Sequence, residues 1–255
     1  MFTVHTNKDT KMKTLVERCA AGIVEDEVTG GYLPDAIDGG WDPSVHELKP
    51  EDLAFLRGER EDSPEGCATF ALDEQDDFLS DVAERVREGL TSHLISYAER
   101  VALDAVAEPS TLRAACRYLA DVGGGGERDD AVDRVEAAAV ARLTETLTKE
   151  IEALQPGHCL VYDADHAGTD REGSRIAVSV YEYAVARLVD GTVDLGRDRD
   201  GGGRWIADDE HLAILVLRWW AEGVGAADAW AGALAGDNSG LETIETDPGE
   251  RQDRI

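Results

Sequence analysis

Between Leu79 and Val101 the apolar residues Leu79, Val82, Val86, Leu90, Leu94, Tyr97 and Val101 step by three or four positions. No other pattern in the chain constrains its fold as strongly. That spacing predicts a helix over 73–107, unbroken or interrupted near Gly89 and Ser92, with one apolar face turned to a core. Pro109 then ends the pattern, and Ser110 or Thr111 can cap a second helix bearing Leu112, Cys116, Leu119 and Val122. A third follows from about Arg128 to Leu154, with Val132, Val135, Ala139, Leu143, Leu147, Ile151 and Leu154 on one side. Amphipathic helices joined by short turns pack most economically as a bundle, here expected over 71–155. Between the second and third helices, Gly123 to Gly126 read as a hinge or linker, because the Lys-Ser/Thr that a phosphate-binding loop requires does not follow them.

Residues 1–70 read as a loop-rich segment with short helices. Leu15, Cys19 and Ile23 imply a short helix that ends before Gly30-Gly31. Pro50 to Arg57 implies another, since proline suits a first turn and Glu51 and Asp52 complement the positive end of its dipole. The compositional bias of the chain begins only after Met12, which makes Met12 rather than Met1 a candidate start.

Pro156-Gly157 breaks the helical pattern. Cys159 to Tyr162, Arg175 to Val189, Thr192 to Leu195 and Arg204 to Ile206 carry strand preference, with Asp190-Gly191 as a tight-turn signal. They predict a small antiparallel β-meander over about 158–206. Asp208 or Asp209 would cap a helix through Trp220 that is apolar on nearly every side, and a shorter helix with Trp230 follows. The expected fold class is therefore α+β: a mostly helical N-terminal two-thirds, the meander, then core-closing helices. Residues 156–236 would pack with the bundle as one body, and 237–255, polar and acidic with no apolar period, would be disordered.

Composition supplies a setting. The chain of 255 residues carries 54 Asp and Glu against 25 Lys and Arg, for a net charge of −29. Such a surface repels itself at low ionic strength and is screened at molar salt, where the Debye length is about 3 Å. Five of the basic residues are lysine and 20 arginine. This bias resembles that of proteins from salt-in halophiles such as haloarchaea, and in such a cell the charge argues neither for nor against nucleic-acid binding. Cys19, Cys67, Cys116 and Cys159 form no CxxC pair, which disfavours a zinc ribbon and suggests free thiols in a reducing cytosol. The longest aliphatic run, Leu212 to Leu217, is too short to span a bilayer. A soluble, cytoplasmic protein is the expectation.

Candidate chemistry gathers after the first predicted strand, at Asp163, Asp165, His166, Asp170 and Glu172. Two carboxylates at i and i+2 past a strand end can converge on one hard cation such as Mg²⁺. VYDADHAG followed by REGSRIA resembles the metal-binding DxD segment of Toprim domains, and that resemblance implies Asp163 and Asp165 as metal ligands. The glutamate-bearing strand that should precede it is replaced here by a predicted helix, so a solvated acidic loop is the competing reading. Asp198, Asp200, Gly203 and Asp209 fall at positions one, three, six and twelve of an EF-hand-like Ca²⁺ loop, although Gly202 stands at position five. Near the C-terminus, LRWWAEGVGAADAWAGALAGD resembles the helix-turn-helix of sigma-factor-like regulators, but an acidic segment follows where a basic helix is wanted. His158 and Cys159 are neighbours on one predicted strand, so their side chains face apart and neither can activate the other.

Three functions follow from this inventory. A non-enzymatic interaction, accessory or scaffold protein of a halophile, binding a protein partner or itself, is favoured. A divalent-metal enzyme acting on a phosphate ester through Asp163 and Asp165 is the alternative, and a DNA-associated regulator with a degenerate helix-turn-helix is the third.

Overall fold

The structure is a computed structural model. It describes residues 5–40, 42, 46–123, 125–155, 158–162, 185–187, 193–194, 197–198, 204–205, 209–237 and 241–245. The chain divides into two compact units, Met1–Ala98 and Glu99–Ile255.

The first unit contains α1 (His5–Thr29), α2 (Tyr32–Asp38), α3 (Pro50–Leu56), α4 (Glu65–Asp73) and most of α5 (Gln75–Ala102). α1 begins well before the first apolar residue of its pattern, so it is longer than the periodicity alone suggests. Its end is set by two glycines: Gly30 donates its N–H to the carbonyl of Asp26 at 2.9 Å, and Gly31 turns the chain at φ 85° into α2. α5 is one unbroken helix despite Gly89. Its most buried side chains are Phe78, Val82, Val86, Leu90 and Leu94, repeating every four residues, while Leu79 and Tyr97 lie half-buried beside them. Phe78, Val82, Val86 and Leu90 of this stripe pack with Leu15, Val16, Cys19, Ile23 and Val24 of α1 and with Phe55 and Leu56 of α3 into one core.

The second unit contains α6 (Pro109–Asp121), α7 (Gly126–Ala153), α8 (Asp209–Val224) and α9 (Ala226–Ala235). α7 buries Ala131, Val135, Ala139, Leu143, Leu147 and Ile151, again one residue per turn. α6, α7 and α8 all pack against α9. The Gly-rich turn between α6 and α7 is held from one side, because Arg128 donates from Nε to the carbonyl of Leu119 at 3.0 Å and from Nη2 to that of Ala120 at 3.1 Å. Those carbonyls lie in the last turn of α6, where the guanidinium serves as their cap.

The expectation of an α+β fold with a β-meander over about 158–206 is corrected: the fold is mostly helical. Almost every buried apolar side chain described lies on a helix. Among the described residues the extended segments are two to five residues long: β1 (His158–Tyr162), β2 (Val185–Arg187), β3 (Val193–Asp194), β4 (Arg197–Asp198), β5 (Arg204–Trp205) and β6 (Leu241–Glu245). β1, β2 and β3 pair antiparallel in sequence order, but over only two residue pairs at each step. β1 lies between β2 and β6, the latter reaching it from beyond α8 and α9, while β4 and β5 pair separately. Local β preference signalled extension, but segments this short cannot supply the sheet face on which an α+β core is built. Of the longest expected strand, Arg175 to Val189, only Val185–Arg187 falls within the described residues.

A second correction concerns the cysteines. Cys19 of α1 and Cys67 of α4 form a disulfide, with both residues fully buried. They are 48 residues apart, and nothing in their spacing signals a bond. Cys116 is free and buried.

Candidate functional site

The first unit carries a groove of about 430 Å³ along the seam of α1 and α5. Its floor consists of Ala20, Val24 and Val28 from α1 and Gly89 from α5. Small residues make the seam close: a methyl group at Gly89 would lie 2.9 Å from Cγ2 of Val24. The rim is charged, with Glu17 and Glu25 on α1 and Arg85 and His93 on α5. Arg85 bonds Oε2 of Glu88 from Nη1 at 2.6 Å, and this contact, reinforced by the charge of Glu17, raises its pKa. The α1 wall is thus acidic, while the α5 wall carries Arg85, already paired with Glu88, over an apolar floor.

A polar knot lies elsewhere in the same unit. His46 and Asp52 are the buried polar and charged residues described. Asp52 accepts the backbone N–H of Lys49 on Oδ2 at 2.7 Å, so its carboxylate caps the helix in which it sits. The Lys49 ammonium pairs with Glu27 of α1, and Arg87 of α5 donates from Nε to the carbonyl of His46 at 3.2 Å. Burial holds His46 below the usual histidine range, against the opposing pull of Asp52 and Glu27. Burial also raises Asp52 above the usual carboxylate range, opposed by its bond to Lys49 and by His46. These groups tie α1, α3 and α5 together. Beside them a pocket of about 320 Å³ includes Asp26, Glu27, Asp35, Glu51 and Asp52, with Arg60 at its edge bonded to Asp26 and Asp62.

In the second unit Arg113 and Arg117 of α6 both pair with Asp228 in the first turn of α9, at 3.3 and 3.0 Å. Burial, then the Asp228 charge, pushes the Cys116 thiol up to about 12. A thiol so protonated is a poor nucleophile.

Asp163 and Asp165, named as metal ligands from sequence, lie outside the described residues, as do Asp200 and Gly203. Asp198 sits in β4 opposite Arg204, and Asp209 opens α8. Among the described residues no three His, Cys, Asp or Glu side chains are grouped so as to hold a metal ion. The helix-turn-helix stretch is a helix pair joined at Gly225, φ 92°. Its second helix, α9, buries Ala229, Trp230, Ala231 and Ala233 and contains no basic residue. It lacks the charge by which a recognition helix meets phosphates.

Sequence reading missed His46 and the role of Asp52. Asp52 was legible as a dipole partner of α3, and an acid three positions after Lys49 is also the spacing of a reciprocal cap. His46 stands in a stretch with no apolar period and gives no such signal. No known family model, curated protein or solved structure matches the chain. No helix among the described residues is long and apolar enough to cross a membrane.

Proposed function

We propose that the chain is a non-enzymatic interaction protein of the cytoplasm of a salt-adapted cell, and that its α1/α5 groove receives a helix of a partner protein. The observation that carries this reading is the groove's combination of an apolar floor with an acidic α1 wall of Glu17 and Glu25. Amphipathic helices dock in grooves of this kind by laying an apolar ridge along the floor. The walls define the partner's chemistry: small apolar residues on the ridge and basic residues on the flank facing Glu17 and Glu25. At molar salt, where long-range repulsion by the net charge is screened, short-range complementarity of this sort still fixes register.

The test is a pull-down from native high-salt lysate with the wild-type chain and with Ala21→Trp, which puts a large ring on the exposed groove wall. The reading requires a protein captured by the wild type and lost with the variant. Equal capture by both, or capture of nucleic acid alone, would overturn it, and a second copy of the chain as the captured species would redirect it to self-association.

A further inference from the structure

We infer that the Cys19–Cys67 disulfide is a redox latch for α4: with the bond closed α4 is docked on α1, and with it reduced α4 is released while the remaining helices stay folded. α4 has nine residues, too few for a helix to persist unsupported in water. Its N-cap position is Pro64, and no side chain there bonds the first turn. Among its described side chains only Cys67 is buried, with Ala68 and Phe70 half-buried, and Leu72 is 85% exposed. Among its described side chains, α4 is therefore attached to the core of its unit through Cys67, which carries the bond, and through the half-buried ring of Phe70. α1 is in a different position, since Leu15, Val16, Ala20, Ile23 and Val24 keep it buried without Cys19.

The chemistry needs a dithiol as reductant. One of its thiolates attacks Sγ of Cys19 or Cys67, the S–S bond breaks, and the second thiol of the reagent resolves the mixed disulfide. Two electrons and two protons pass to the protein, leaving two cysteine thiols and a cyclised, oxidised reagent. Because both cysteines are fully buried, attack requires a transient local opening around the bond while the bond still tethers α4, and that opening limits how fast the latch is released. In the reducing cytoplasm where we place the chain, disulfides are typically transient and responsive, which suits a latch better than a permanent staple.

Hydrogen exchange read by mass spectrometry on the full chain in molar KCl tests this, comparing oxidised protein, dithiothreitol-treated protein and the Cys19→Ser/Cys67→Ser variant. Exchange over 65–73 should become on the order of tenfold faster or more in the last two, while α1, α5 and α7 are unchanged. Should the reagent fail to reach the buried bond, the variant alone carries the comparison; should the variant fail to fold, the treated protein does. Equal protection of 65–73 in oxidised and reduced states would overturn the latch. So would loss of protection in α1, α5 or α7 as well, which would make the bond a staple of more than α4, or alkylation of four thiols in the denatured, unreduced chain.

Discussion

Gly89 and Val24 hold α5 and α1 at a separation that glycine alone permits, since a methyl group at position 89 would stand 2.9 Å from Cγ2 of Val24. Alanine is the better helix former by about 1 kcal/mol, yet overpacking typically costs about 1–3 kcal/mol. Gly89→Ala should therefore destabilise the protein by about 1 kcal/mol, read from urea denaturation in molar KCl. An unchanged or raised midpoint would show that the seam is looser than described.

The second unit makes a tighter contact of the same kind. A methyl group at Gly232 of α9 would lie 2.5 Å from Cη2 of Trp220 on α8, and an indole ring cannot fold aside as a flexible chain end does. Gly232→Ala should cost about 1–3 kcal/mol. Near-ultraviolet circular dichroism, sensitive to the tryptophan environment, should change with it; a wild-type spectrum and melting curve would contradict the packing.

Acidification should act on the polar knot through two groups of opposite sign. His46 is lowered in the folded state by burial, so its contribution is fully present above its ordinary pKa of 6.5 and is lost as pH falls through the lower, folded value. Asp52 is raised by burial, so protonating it between its folded pKa and 3.8 relieves a penalty and favours the fold. Thermal melts of wild type and His46→Gln from pH 7.5 downwards separate the two. Wild-type stability should begin to fall near pH 6.5, and the variant should lack that part of the slope. Parallel profiles would exclude His46 as its source.

Arg117 and Asp228 illustrate how little an exposed ion pair supplies. Arg117 is 57% exposed, and pairs of this type contribute about 0–1 kcal/mol at low salt. Arg117→Ala should cost less than about 1 kcal/mol, with the difference shrinking further in molar KCl. A larger cost that persists at high salt would mean that its alkyl stem, not its charge, secures α6.

The helices were legible wherever burial repeats once per turn. Val135, Ala139, Leu143, Leu147 and Ile151 announce α7 without any knowledge of its neighbours, because one helix face must meet the core whatever covers it. The sheet was misread for the complementary reason. β-branched and aromatic residues report that a segment suits extension, while strand pairing is decided by distant partners, and β1 takes β6 from the far side of two helices. The same applies to the site. Gly89, Val24, Glu17 and Arg85 are unremarkable in sequence and acquire a role only when α1 and α5 lie together, and the Cys19–Cys67 bond depends on a juxtaposition that a 48-residue separation conceals. Asp163 and Asp165 drew attention by acidic density, by their i, i+2 spacing past a strand end and by their likeness to a Toprim segment, and they lie outside the described residues.

A hydrogen-exchange footprint of the chain with its captured partner, collected in molar KCl, tests the central claim most directly. Protection confined to 17–29 and 85–93, the stretches of α1 and α5 that line the groove, is the predicted result. Protection that leaves both stretches unchanged and appears elsewhere on the chain would contradict it.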